Sequence, residues 1–293
     1  MTVDDLIQQG DFAGALQMIA PAITGPSADP GQLLLAFNLE VRLQRFDAAD
    51  QTIRRLMQIA PQVADAMAAF ARNARAERSA TQRMTDPTLA GKRAGIGMPP
   101  PHALAFVKAA VLHAMKDHAG AAAALAEVKP SIPATPGTMT WRAGRTARFA
   151  NLSDSDELTG PILPCYDGEH VLDLAYVELK SITFLDPKTS FDMMWIPTEI
   201  EPVRGNPLRV KVPAFHVGTG VADMDMVRTG QMTTWDRTHG YAQAIGQRDL
   251  ELFDPEGGKS MVGILQVRRI EFDAPAPGAT ADKPKGFWKK LFG

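Results

Sequence analysis

Apolar positions in this chain keep a helical spacing through about residue 130 and an alternating one from about residue 139 onward. The spacing of the first half predicts helices near 3–9, 13–23, 31–44, 47–60, 62–84, 102–116 and 119–129. Pro61 ends one of them, because proline lacks a donor and clashes with the preceding turn. In the second half, "LRVKVPAF" at 208–215 puts Leu208, Val210, Val212 and Ala214 on one face, with Arg209 and Lys211 on the other. That is the pattern of a half-buried strand. Short apolar runs at 170–177, 180–185, 192–196, 243–252 and 261–272 read the same way. The turn signals "YDGEH", "LDPKT", "VRGNP", "VGTG" and "DPEGG" separate them. The spacing predicts a mostly antiparallel, curled sheet rather than the strand–helix alternation of a nucleotide-binding fold. Between the halves, "KPSIPATPGT" at 129–138 carries three prolines and stops the helical pattern.

The helical half repeats itself. "QQGDFAGALQMI" at 8–19 aligns with "RLQRFDAADQTI" at 42–53, so that Phe12 and Phe46 stand 34 residues apart, as do Ala15 and Ala49. A period of 34 is that of the tetratricopeptide helix pair. "MKDHAGAAAALAEV" at 115–128 is a degenerate third copy, with His118 in the aromatic place and Ala121 in the alanine place. The aromatic plugs the turn between two antiparallel helices, and the alanine lets them approach. The expected architecture is α+β. Residues 1–130 form a tetratricopeptide-like helical domain with a concave face, 131–138 a Pro-rich linker and 139–273 a β-rich domain. Arg72, Arg75 and Arg78 recur every three residues and share one helix face. They form either a solvated surface or a basic rail for an acidic or helical partner. Arg42 and Arg45, opening the second copy, join them as candidate partner contacts.

Composition narrows the function classes. The chain has 293 residues, 45 % of them hydrophobic and 22 % charged, with a formal charge of −2. No whole-molecule field points to nucleic acid or membrane. Cys165 is the only cysteine, which excludes an internal disulfide and a thiolate metal cluster and fits a reducing cytoplasm. The start "TVDDLIQQGDF" lacks a basic, long apolar leader. Residues 274–293 form a tail, "APAPGATADKPKGFWKKLFG", expected to be disordered at first. Its end has the pattern of a short basic amphipathic helix, with Phe287, Trp288, Leu291 and Phe292 apolar and Lys285, Lys289 and Lys290 polar. Such an end docks on a partner or an anionic membrane, or packs on its own chain.

Catalytic templates fail. The chain has no Gly-x-Ser-x-Gly elbow, no HExxH and no phosphate-binding Gly-rich loop with Lys-Ser/Thr. Cys165 and His170 are separated by "YDGE", a hairpin turn, so they need not face each other. "SDSDE" at 153–157 lacks the frame of a calcium loop and reads as a solvated acidic loop. In "VRTGQMTTWDRTHGYAQAIGQRDL" at 227–250, Trp235 and Met232 read as core residues of a strand. Arg228 and Arg248 are expected to make charge-assisted hydrogen bonds to backbone or to acids such as Asp192. With Gln247 they are also candidates for a recognition surface.

The second half resembles the ImpE family, also called the TagJ or SciE type, accessory components of the bacterial type VI secretion system. The resemblance rests on "VELKSITFLDP" at 177–187, "FDMMWIPTE" at 191–199, "VPAFHVGT" at 212–219, "VRTGQMTTW" at 227–235 and "IGQRDL" at 245–250, in that order. "LQRFDAADQTIRRLMQIAP" extends it into the helical half. His216, Gln231 and Thr234 depart from the family's usual tyrosine, basic and acidic residues. The resemblance implies a cytoplasmic, non-enzymatic adaptor without a cofactor. It also implies association with the small sheath subunit through a helix near that subunit's amino terminus, and through it with a ClpV-type ATPase. Two alternatives stay open: a repeat-type adaptor or chaperone unrelated to secretion, and an enzyme with a site near Arg228, Trp235 and Arg248.

Overall fold

A computed structural model describes residues 1–25, 27–92, 94–95 and 98–273. Helices α1 (Val3–Gln8), α2 (Phe12–Ile23), α3 (Pro30–Arg42), α4 (Phe46–Ile59) and α5 (Ala64–Arg83) come first. A short α6 (Pro87–Ala90), α7 (Pro101–Ala114) and α8 (His118–Val128) follow. The turns α1–α2, α3–α4 and α7–α8 are built alike. Each has one left-handed residue: Gly10 (φ 74°), Gln44 (φ 57°) and Lys116 (φ 63°). The next N–H, of Asp11, Arg45 or Asp117, donates five residues back to Leu6, Glu40 or Leu112. That closes the preceding helix with a Schellman turn. Asp11 and Asp117 then cap α2 and α8 by accepting the Gly14 and Gly120 N–H groups at 2.8 and 2.9 Å. Ala15, Ala49 and Ala121 are fully buried, so each pair of helices closes tightly where the sequence repeat places alanine.

The β-rich part contains β1 (Gly137–Trp141), β2 (Thr146–Phe149), β3 (Asn151–Asp154), β4 (Ile162–Asp167), β5 (His170–Ala175), β6 (Leu179–Phe184), β7 (Trp195–Pro202) and β8 (Leu208–Pro213). After a one-turn helix α9 (Asp225–Arg228) come β9 (Thr234–Asp236), β10 (Gln243–Ile245), β11 (Asp249–Phe253), β12 (Lys259–Gly263) and β13 (Val267–Phe272). An eight-stranded sheet runs β2-β1-β13-β6-β7-β8-β4-β5, beside a three-stranded sheet β12-β11-β3 and the pair β10-β9. The paired strands in all three are antiparallel. Val210 and Val212 are buried while Arg209 is exposed, as the alternation predicts. The run at 192–196 is a correction, because it is a turn through Met194 and extended only from Trp195.

One core lies within the sheets and includes Met139, Leu163, Ile182, Ile196, Val212, Leu252 and Ile270. Two others join helices to strands. Leu33, Phe37, Ile53 and Met67 pack with Tyr166, Val171, Phe191 and Trp195. Phe106, Ala121 and Leu125 pack with Leu158, Ile162 and Tyr241. A fourth, around Leu6, Phe12, Ile19 and Leu39, holds the first three helices together. Neighbouring residues of β4 therefore meet different cores, and the strand has apolar matter on both faces. Glu77 of α5 strengthens this seam by accepting hydrogen bonds from Tyr166 Oη at 2.7 Å and Trp195 Nε1 at 3.1 Å. Among the described residues, no helix is long and apolar enough to cross a membrane.

Candidate partner-binding cleft

The carboxyl end of α3 packs against the loop 214–231 that follows β8. Gly220 allows the approach: a Cβ there would lie 1.7 Å from the Arg42 carbonyl oxygen. Arg228 then ties this loop to the first helical turn, with Nε donating to Gly10 O at 2.9 Å. Its Nη1 donates to Ala222 O at 2.6 Å, and its Nη2 meets Asp225. A four-residue helix and one arginine thus fix the loop against α1 and α2.

Two hollows open along this junction, with Arg42 on the wall of both. The larger, about 420 Å³, lies between α1–α3 on one side and Ser190, Phe191, Thr229 and Gln231 on the other. Ile7, Phe12, Leu34, Leu35, Leu39 and Phe191 give it an apolar lining, interrupted by Gln8 and Asn38. The smaller, about 40 Å³, is bounded by Glu77, Trp195, Phe215, His216 and Arg228. The Arg42 guanidinium lies over the rings of Phe12 and Phe215, 5.2 and 5.5 Å from their centroids. Its Nε donates to Asn38 Oδ1 at 3.2 Å, and burial pushes its pKa down to about 10. Asn38 in turn reaches the Met194 sulfur at 3.3 Å, linking α3 to the turn before β7.

A buried polar group lies beside the smaller hollow. Arg248 meets Asp154, and its Nε donates to Pro213 O at 3.2 Å. Burial and the Arg248 charge hold His216 well below the usual histidine range, so it is neutral. Its Nε2 stands 3.9 Å from Asp154. Asp156 accepts N–H groups from Leu158 at 2.8 Å and Ala244 at 3.3 Å. Burial and the neighbouring Asp154 charge push Asp156 up to about 7. The expectation of a solvated acidic loop at 153–157 is therefore wrong: Asp154, Ser155 and Asp156 are buried. They turn inward because Arg248 and backbone donors converge there.

The other candidate residues are dispersed. Arg45 is exposed at the start of α4, and Arg72 is exposed on α5. Arg75 pairs with Glu169 at 3.3 Å and Asp50 at 3.7 Å, and Arg78 with Asp47 at 2.7 Å. The basic rail is thus largely answered by the chain's own acids. Trp235 is half-buried opposite Ala244 and lines neither hollow. Gln247 Nε2 donates to Gly230 O at 3.0 Å. Asp192 partners Lys211 at 2.8 Å, not either predicted arginine. Cys165 is buried within β4, its thiol pushed up by burial, and His170 is exposed on β5. Trp288 and the rest of the 274–293 tail lie outside the described residues. Sequence reasoning missed Leu34, Leu35 and Glu77, whose only signal was membership of apolar or charged helix faces, and named Phe191 only within the block "FDMMWIPTE".

Comparison with known proteins finds similarity to a family, to a curated protein and to a solved structure. Residues 146–271 match the model of a family described as ImpE protein. The "Type VI secretion system accessory component TagJ" of Pseudomonas aeruginosa is 29 % identical over 157 residues, which are 53 % of this chain and 51 % of that protein. The aligned part thus spans about half the length of that relative. The crystal structure of protein VPA1032 from Vibrio parahaemolyticus superposes with a TM-score of 0.79 over 94 % of this chain and 98 % of the other. At 11 % identity, that likeness shows a shared fold.

Proposed function

We propose that this chain, whose residues 146–271 match the ImpE family, is an accessory component of a type VI secretion system that works as a non-enzymatic adaptor. Its partner is the small subunit of the contractile sheath, held by a helix near that subunit's amino terminus. Through that contact the adaptor affects sheath assembly or recycling by a ClpV-type ATPase. The tetratricopeptide-like helices supply one wall of the binding site and the β-rich part supplies the other.

The observation that carries the reading is the apolar cleft of about 420 Å³ between α1–α3 and the loops at 190–191 and 229–231. An amphipathic helix buries side chains at i, i+3 and i+4 in such a groove. Leu34, Leu35 and Phe191 offer the matching surface. Met224 and Met226 stand half exposed on the adjoining loop, and flexible thioethers adapt to a docked surface. Pull-down of purified small sheath subunit, intact and without its first helix, tests the proposal. Capture of the intact subunit and loss of capture on removing the helix is the expected result. Equal capture of both forms refutes the mechanism.

A further inference from the structure

We infer that Arg42 is the specificity contact of the cleft, receiving a carboxylate carried at the edge of the partner helix's apolar face. The inference rests on the reading that a sheath-subunit helix occupies the cleft. Arg42 is the sole charged residue among those lining the larger hollow. Among the described residues, no carboxylate stands within ion-pair distance of it, and its hydrogen bond goes from Nε to the neutral Asn38 side chain. Contrast the arginines around it: Arg228 meets Asp225, Arg248 meets Asp154, Arg75 meets Glu169 and Arg78 meets Asp47. Glu77, on the wall of the smaller hollow, is taken up by Tyr166 and Trp195.

The cost of this arrangement points to a ligand. A guanidinium lying over two aromatic rings loses hydration, and the rings and the neutral Asn38 amide answer it without neutralising its charge. The two rings and the Nε–Asn38 bond restrain the group, and its remaining N–H donors suit a planar carboxylate. An apolar groove with one fixed cation selects a helix whose hydrophobic face is bordered by Asp or Glu. It disfavours the chain's own tail end, which is basic at Lys285, Lys289 and Lys290.

The experiment measures affinity between the full chain and the small sheath subunit by titration calorimetry, for wild type, Arg42→Gln and Arg42→Lys. It also uses subunits in which each acidic residue of the first helix is replaced singly by its amide. Arg42→Gln is expected to weaken binding at least about tenfold, and Arg42→Lys by less. One amide replacement should match the Arg42→Gln loss on wild type and add nothing in the Arg42→Gln background. The partner-side series needs no change to this chain, so it stands even if Arg42→Gln folds poorly. Binding that no single amide replacement changes by more than twofold overturns the inference while leaving the adaptor reading intact. Absence of binding by wild type overturns the reading and the inference together. If Arg42→Gln leaves capture unchanged but dissociates a self-associated form, the cleft belongs to a second copy. If removing residues 274–293 tightens capture while Arg42→Gln leaves it unchanged, the cleft belongs to the tail, and the inference is again overturned.

Discussion

Asp154 and Arg248 show how much one buried pair carries. Both are almost wholly removed from solvent, and Arg248 also holds the Pro213 carbonyl at 3.2 Å. Asp154→Asn leaves a guanidinium buried without its anion, so it should lower unfolding stability by about 3 kcal/mol in urea titrations. Asp156 behaves differently. The folded chain keeps its proton up to about pH 7, whereas the unfolded chain releases it near the ordinary carboxylate value of 3.8. The stability contributed by that proton is whole below the unfolded value and is lost as pH rises through about 7. Urea unfolding from pH 4 to 7 should therefore show wild type declining relative to Asp156→Asn by about 1 kcal/mol per pH unit. Parallel pH profiles would contradict the assignment. Neither role could be read from "SDSDE", because the inward turn also needs the distant Arg248 and the Ala244 N–H.

At the level of elements, the repeated turns are the most informative feature. Gln44 and Lys116 occupy left-handed conformations that Gly10 occupies without steric penalty. Replacing either by glycine relieves a backbone cost of about 1 kcal/mol, partly offset by the greater freedom glycine gives the unfolded chain. Gln44→Gly and Lys116→Gly should each raise the thermal midpoint, with a net gain of about 0.5 kcal/mol; a lower midpoint would show that their side chains matter more than their backbones. The helices were legible because capping aspartates, Pro61 and the 34-residue spacing agree locally. Strands β1 to β4 were not. "TARF" and "NLSD" are short and polar, while "ILPCYD" is buried on both faces and loses the alternation that marks a half-buried strand. The Arg72, Arg75 and Arg78 spacing was visible as a helix face, but the acids that answer it come from α4 and the β4–β5 turn.

Over the whole molecule, the two halves are bound together by side chains as well as by sequence. Trp195, Phe191 and Tyr166 lie in a core with Phe37, Ile53 and Met67, and Leu158, Ile162 and Tyr241 lie in one with Phe106 and Leu125. Fragments 1–130 and 139–273, produced separately, should expose these surfaces and aggregate. Co-production should restore a soluble complex, measurable by size-exclusion chromatography. Independently soluble, cooperatively melting fragments would contradict that expectation. The cleft was out of reach of sequence patterns for the same reason: α1, α3, the turn before β7 and the loop after α9 each contribute part of a wall. Of the residues lining the larger hollow, only Arg42 was named in advance as a partner contact, for its charge and its place in the repeat.

The bond from Arg228 to the Gly10 carbonyl has a consequence for biosynthesis. The first helices leave the ribosome long before the residue that moors them, and Thr229 and Gln231, which complete the groove, emerge later still. A nascent chain therefore displays an open hairpin with no finished receptor. The groove is complete only once Gln231 has joined the residues of the first three helices.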